Sequence, residues 1–400
     1  MITLHKIVHF KAFILFIILT LSSCATPITH TPVPEQLITR ATVIDSPSIR
    51  FWGDEQRDKY KKQRILTEWL QLRTMQWDKD DTEPVLNFLA LSGGGEDGSF
   101  AAGVITGWTR HGDRPEFDVV TGVSAGALAA PFVFLGIKYD EVLFDVYSNL
   151  DNEDIYRTQI FSGILGGTSL FDNLPLKKLI SQYVTSEILQ QIAKEHIKGR
   201  RLWIGTTNLD AGRPVIWDIG EIASSGNPEA LDLFHNILLA SSAVPGIFPP
   251  VFIDVTVGGQ KFTELHVDGG VTRQAFLYPP QFIKQDTIET IDDKITRRLY
   301  VIRNGRSQAL YDPIKASLYS IVIKSLSMTI ENKAIGDLYR IYEITSRDNI
   351  DFNLAIIPTS FNLKPKESFD PEYTKALFKV GYELANDGYP WEKTPPESSK

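Results

Sequence analysis

The sequence predicts an α/β fold: a three-layer sandwich, with a mostly parallel central sheet and helices on both faces. Three observations predict it. Strand-like runs at 85–91, 117–121, 201–206, 214–218 and 298–302 alternate with helix-prone stretches, the pattern of a sheet covered on both sides. Twice, an apolar run passes through a glycine turn directly into a helix-prone stretch. The chain has 400 residues, enough for one sizeable core beyond an N-terminal leader.

The N-terminus reads as an export signal. Lys6 and Lys11 make a positive start, and 12–21 is an apolar core too short to span a bilayer as a helix. Leu21-Ser22-Ser23-Cys24 resembles the lipobox of bacterial lipoproteins, and Cys24 is the single cysteine of the chain. A disulfide framework is therefore not expected. Acyl chains on Cys24 would hold the protein on a membrane without a spanning helix. Ala25 follows Cys24, where Asp would resemble an inner-membrane retention signal. The expected location is thus the bacterial cell envelope, lipid-anchored at the outer membrane. The expected organisation is a signal peptide at 1–23, a tether at 24–50, a helical extension at 51–83, a catalytic core at 84–285, and a C-terminal part of the same domain at 286–400. The tether is read from Pro27, Pro32, Pro34 and their threonines. The extension is read from apolar residues at helical spacing across 52–80, such as Tyr60, Ile65, Trp69 and Leu72.

The run 85–91 feeds Gly93-Gly94-Gly95-Glu96-Asp97-Gly98, and a helix-prone stretch follows at 99–108. Bare amides at a helix N-terminus make an anion site. The same residues match the G-x-G-x-x-G dinucleotide fingerprint. That reading needs an acid at the end of the second strand. The chain has Thr121-Gly122-Val123-Ser124 there, with Asp118 at the wrong end. A P-loop fails because Ser99 stands where lysine is required.

The next strand-like run leads into Gly122-Val123-Ser124-Ala125-Gly126, and 127–130 is small and helix-prone. Strand, G-x-S-x-G and helix are the setting of a nucleophile elbow, in which a sharp turn presents the serine oxygen beside helix amides. The bare pattern is common; its context makes it informative. Asp268-Gly269-Gly270 follows the strand-like Leu265-His266-Val267 and places a carboxylate at a strand end. Alone, it reads as a turn.

Four segments together resemble the patatin-like phospholipases: the glycine loop, the serine elbow, the run from Ala240-Ser241-Ser242-Ala243 to Pro249-Pro250, and Asp268-Gly269-Gly270. Softer matches lie at 169–176 and 206–214. The likeness covers about 84–280, with a looser match near 369–382. It implies that Ser124 is the nucleophile and Asp268 the base of a Ser-Asp dyad, and that the amides of Gly93, Gly94, Gly95 and Gly98 form the oxyanion hole. It implies a lipid acyl hydrolase acting on phospholipid or lysophospholipid esters, with no cofactor and no metal. The alternative is a non-catalytic lipid-binding or scaffolding lipoprotein on the same fold.

The histidines bear on the dyad. They are His5, His9, His30, His111, His196, His235 and His266, and none follows Asp268. A triad using His235 or His266 with Asp210 or Asp218 stays open. An aspartate of ordinary pKa is a poor base for a serine, so the dyad also requires burial to raise that pKa. One departure stands out. The family usually has a basic residue before the last glycine of the loop, where this chain has Asp97 preceded by Glu96. A carboxylate facing the site would oppose a developing oxyanion, so either both side chains face solvent or the oxyanion hole is weaker than usual.

The net charge is −8 and there is no basic stripe, which excludes nucleic acid as a partner. Acidity also disfavours strong docking to anionic lipid. Lipid access would come from the Cys24 anchor and from apolar surface near the site, with Ile247 and Phe248 as candidates for an acyl-pocket rim. Protein partners are unknown from the sequence. The tail is expected to be helical over 310–340 and extended over 352–357.

Overall fold

The computed structural model describes residues 30–54, 69, 73, 85–148, 152–155, 157–158, 169, 171–277, 295–308 and 311–396. In chain order the strands are β1 (Arg50–Trp52), β2 (Val85–Leu91), β3 (Val119–Val123), β4 (Arg157–Thr158), β5 (Phe171–Asp172), β6 (Arg201–Asn208), β7 (Arg213–Asp218), β8 (Val251–Val257), β9 (Gln260–Asp268), β10 (Thr296–Arg306) and β11 (Asp351–Ile357). The helices are α1 (Gly98–His111), α2 (Ala125–Leu135), α3 (Asp140–Ser148), α4 (Asn152–Ile155), α5 (Leu174–Tyr183), α6 (Ser186–Ile197), α7 (Ile219–Ser224), α8 (Ala230–Ser241), α9 (Leu318–Arg347) and α10 (Pro371–Asn386).

The main sheet runs β1-β7-β6-β3-β2-β10-β11, and β9 carries β8 onto β6. The five strands from β6 to β11 are parallel to their neighbours. The pairs β6–β7, β1–β7, β6–β9 and β8–β9 are antiparallel. The parallel strands alternate their apolar side chains between two cores, as a pleat buried on both faces requires. Leu89, Leu91, Val120, Leu202 and Ile204 join one core with α1, α2, α8 and α10. Leu86, Phe88, Val119, Trp203 and Val301 join the other, which α9 covers with Leu338 and Ile341. Each such side chain taken fully out of water contributes about 1.5–3 kcal/mol.

Several elements differ from the sequence-based expectation. The strand expected at 117–121 is Val119–Val123, because pairing to β6 carries it to Gly205. The expected strand at 214–218 is present, but antiparallel. The β8–β9 hairpin was foreseen only at its end, near Asp268. The helix at 310–340 begins at Leu318, where the Ser317 side chain accepts the Ser320 amide as an N-cap.

Residues 30–50 are not a free tether. Val33, Val43 and Ile49 are buried, and Thr42 bridges Thr256. Arg50 then enters the sheet and is paired with Glu264 at 2.5 Å. Trp52, expected at the start of a helix, is in β1. The rest of the expected helix at 52–80 lies largely outside the described residues. Trp69 and Arg73 are helical there, and Trp69 is buried and donates its indole N–H to the Gly199 carbonyl at 2.7 Å. Cys24 and the leader also lie outside the described residues.

Candidate active site

Register alone brings Ser124 and Asp268 together. β3 pairs with β6 as far as Val123 opposite Gly205. At the next residue of β6 its partner changes, and Thr206 pairs with Asp268 of β9. Two strands therefore end head to head on one edge of β6, with a serine at one end and an aspartate at the other. Both lie at the carboxyl ends of the parallel strands. The chain leaves β2 toward β3 on one side, while β10 flanks the other; crevices form at such switch points.

Ser124 has φ 53° and ψ −125°, a region costly to a non-glycine residue by about 1–3 kcal/mol. Its flanks hold it there. A Cβ on Gly122 would sit 2.6 Å from the Gly126 carbonyl oxygen, and one on Gly126 would sit 2.4 Å from the Leu91 oxygen. Only glycine permits strand and helix to pass so closely. The Ser124 amide donates to the Ser241 hydroxyl at 3.0 Å, and that hydroxyl donates to the Gly205 carbonyl at 2.7 Å. Tyr147 donates to the Ala125 carbonyl at 2.6 Å.

The Ser124 side chain lies close enough to the Asp268 carboxylate to favour its ionised form. Burial pushes the Asp268 pKa up to about 6, against Ser124 and the hydrogen bond from the Gly270 amide. The Gly270 bond is 2.7 Å long. Asp268 is thus a stronger base than a free aspartate, yet still ionised at neutral pH. Its backbone is fixed as well: its N–H donates to Ala243, and its carbonyl accepts from Thr207 at 3.0 Å.

The glycine loop passes beside this pair. The four amides expected as oxyanion donors are not equivalent. Gly93 donates to the Gln274 carbonyl at 3.1 Å, and Gly98 to the carbonyls of Glu96 and Gly95. Both amides are engaged within the protein. Gly94 and Gly95 have no acceptor among the described residues. Asn304 of β10 clamps the loop: its amide N–H and side-chain NH2 bond Ser92 at 2.9 and 2.8 Å, and its side-chain oxygen accepts the Ala101 N–H at 3.1 Å. A Cβ on Gly94 would meet the Asn304 carbonyl oxygen at 2.3 Å.

Glu96 and Asp97 turn to the C-terminal segment rather than to open solvent. Glu96 accepts the Phe369 amide at 2.5 Å, and Asp97 accepts the Tyr373 hydroxyl at 2.5 Å. Burial, reinforced by the Asp97 and Asp370 carboxylates, pushes Glu96 up to about 7 despite the amides it accepts. Burial also raises Asp97, against Tyr373 and the nearby Arg306 and Arg303. The two carboxyls tie the loop to the start of α10.

The histidines of the possible triad are engaged elsewhere. His266 is fully buried, 3.0 Å from the Thr206 hydroxyl and 3.1 Å from Glu264. His235 bonds the Val184 carbonyl at 2.7 Å. Asp210 pairs with His30, and Asp218 accepts from Trp203 and the Glu221 amide. Phe248 is buried against Phe171, whereas Ile247 is only partly buried. Among the described residues, no group of three or more His, Cys, Asp or Glu is placed to hold a metal ion, and no helix is long and apolar enough to cross a membrane.

Sequence reasoning missed Asn304, Gln274 and Tyr373 as supports. None of them carries a motif residue, although Gln274 and Tyr373 fall within the stretches that resemble the family. Ser241 lies in one of those stretches, where the resemblance gives it no role.

A family model described as patatin-like phospholipase matches residues 89–280. No curated protein matches the chain. Among solved structures, VipD from Legionella pneumophila aligns at 15% identity over 77% of this chain and 67% of its own, with a TM-score of 0.33. The heterodimeric ExoU-SpcU complex from the type III secretion system of Pseudomonas aeruginosa aligns at 14% identity over 76% of this chain, with a TM-score of 0.31. The chain spans about half, 51%, of that second structure's matched chain.

Proposed function

From the premise that residues 89–280 form a patatin-like phospholipase domain, we propose that the protein is a lipid acyl hydrolase that cleaves phospholipid or lysophospholipid esters through a Ser124–Asp268 dyad. The observation that carries this is a serine in a strained elbow beside a buried aspartate, the two set at adjoining positions along β6.

Ser124 Oγ attacks the ester carbonyl as Asp268 takes its proton. The carbonyl oxygen becomes an oxyanion and accepts hydrogen bonds from the Gly94 and Gly95 amides. Collapse breaks the bond to the alcohol, which leaves with the proton held by Asp268. An acyl-serine remains. Asp268 then deprotonates water, which attacks the acyl carbon. Ser124 regains its proton, and a fatty acid departs. The lipoprotein reading belongs to the same proposal: acylated Cys24 would hold the enzyme on the envelope at the outer membrane. Loss of a metabolic palmitate label in Cys24→Ser would test that part.

A fluorophosphonate probe tests the chemistry. Wild type should label at Ser124, and Ser124→Ala should not. Asp268→Asn should lose nearly all turnover, on the order of 10⁴-fold or more by analogy with units of interdependent residues. A folded, unlabelled wild-type protein that still binds lipid would replace this reading with that of a lipid-binding lipoprotein. Mass spectrometry of the products would assign head group and acyl position.

A further inference from the structure

The first half of α9 is apolar but unburied. Among the described side chains from 318 to 333, none is buried. Six of the thirteen exposed large apolar side chains among the described residues fall between Tyr311 and Met328. Leu318 is 81% exposed and Val322 53%. Within the helix, Leu318, Ile321, Val322 and Met328 follow spacings of three, four and seven, and so share one stripe. A helix this apolar normally buries its face in a core or in lipid.

The stripe adjoins the site. The Asp268 amide bonds Ala243, and Gly246, three residues on, lies against Ile323 of α9. Two turns before its buried end, Asp337 accepts the Gln274 amide at 2.7 Å and so holds the chain just after Asp268. One side of α9 thus leans on the site, and the other presents the stripe outward beside it. Its charge is unlike that of the chain. From 311 to 330 the only acid is Asp312, which pairs with Lys324 at 3.0 Å, and Lys315 is a second cation, in a protein of net charge −8. Lys364 joins them by donating to the Tyr311 carbonyl at 2.5 Å.

We propose that the stripe of Tyr311, Ile314, Leu318, Ile321, Val322 and Met328 is the surface by which the protein seats on a phospholipid bilayer. The apolar side chains enter the acyl boundary, and the lysines at the margin meet headgroup phosphates. The proposal rests on the lipid-ester reading above. That reading needs the mouth of the site to meet a bilayer, and a second protein copy on the stripe would crowd the mouth instead.

The test uses the full chain in a Cys24→Ser background, which removes acyl anchoring and leaves no other thiol. Val322→Cys is labelled with an environment-sensitive dye, and Ile197→Cys, exposed elsewhere, is the control. On vesicles of phosphatidylcholine with phosphatidylglycerol, the dye at 322 should shift to the blue and be quenched by spin-labelled lipid, while that at 197 should not. The paired change Leu318→Asp, Val322→Asp should lower the ratio of vesicle-phospholipid to monomeric-ester hydrolysis by about tenfold or more, as expected for losing two buried apolar anchors. No shift at 322, an unchanged ratio, or a dimer that occludes the stripe would overturn the proposal. A shift at 322 without hydrolysis of either substrate would support the docking surface and overturn the acyl-hydrolase reading instead.

Discussion

The turn that carries Ser124 and the glycine loop at 93–98 are neighbours built by different means. The turn is shaped mainly by its own glycines: Gly122 and Gly126 admit the strand and helix that force Ser124 to a positive φ, and Ser241 and Tyr147 bond its backbone from outside. The loop is held from afar. Asn304 clamps it from β10, while Phe369 and Tyr373 bind Glu96 and Asp97 from the approach to α10. The proposed nucleophile is therefore shaped chiefly by a local segment, and the proposed oxyanion loop by the complete fold. Damage to β10 or α10 should weaken turnover while leaving Ser124 and Asp268 side by side.

The largest expected effect is on the turn. Gly126→Ala forces a methyl group within 2.4 Å of a backbone oxygen at the end of β2, which cannot be relieved by a side-chain rotation. The variant should lose activity almost wholly and unfold well below the wild type on thermal melting. Gly95→Ala in the loop is the contrast. Gly95 has φ +57° but nothing within 4 Å of a new Cβ, so it should cost only about 1 kcal/mol of backbone strain. An active, stable Gly126→Ala enzyme would break the comparison.

Next in size is the remote clamp. Asn304→Ala removes the side-chain bonds to Ser92 and Ala101 and frees the chain that carries Gly94. We expect kcat to fall by roughly 10–100-fold, part of what losing an oxyanion donor costs, with KM little changed and Ser124 still beside Asp268. A change confined to KM would mean that the loop positions substrate rather than the oxyanion.

Acidity separates the two halves further. Asp268 must be ionised to accept the serine proton, and burial places its pKa at about 6. kcat/KM should therefore fall about tenfold per pH unit below that value. A flat profile down to pH 4.5 would show that Asp268 is not the base. The same shift contributes folding stability at low pH that is lost as pH rises through about 6, opposite in direction to the activity.

This division explains what was legible in the sequence. Ser124 and its glycines can be read from a pentapeptide, because the sterics that make the turn are local. Asp268 was readable only as a strand end followed by glycines; its place beside Ser124 depends on where β3 stops along β6. The roles of Glu96 and Asp97 were not legible. Their partners lie more than 270 residues away, and no periodicity ties the two regions. Residues 30–50 misled for a related reason. Proline and threonine suggest a free tether, but Val43 and Ile49 find apolar cover supplied by β7–β9 and their neighbours.

The smallest expected effect lies where the loop meets the C-terminal segment. Glu96 is raised from an ordinary 4.5 to about 7, first by burial and then by Asp97 and Asp370, while the Phe369 and Asp370 amides pull it down. Its folded pKa exceeds its unfolded one, so its stabilising contribution is complete below about 4.5 and disappears as pH climbs through about 7. Glu96→Gln keeps an oxygen for the Phe369 amide and removes the titration. The stability of wild type minus that of Glu96→Gln should therefore fall between pH 5 and 8, in paired chemical denaturation curves. Other raised carboxyls, Asp97, Asp118 and Asp337 among them, are common to both proteins and largely cancel in the difference. Turnover at pH 8 should change less than about twofold, because Glu96 points away from the reacting atoms and its charge reaches them only through screened distance. A large gain in kcat at pH 8 would place the Glu96 carboxylate at the oxyanion after all, and the loop would then be held by the site rather than by α10.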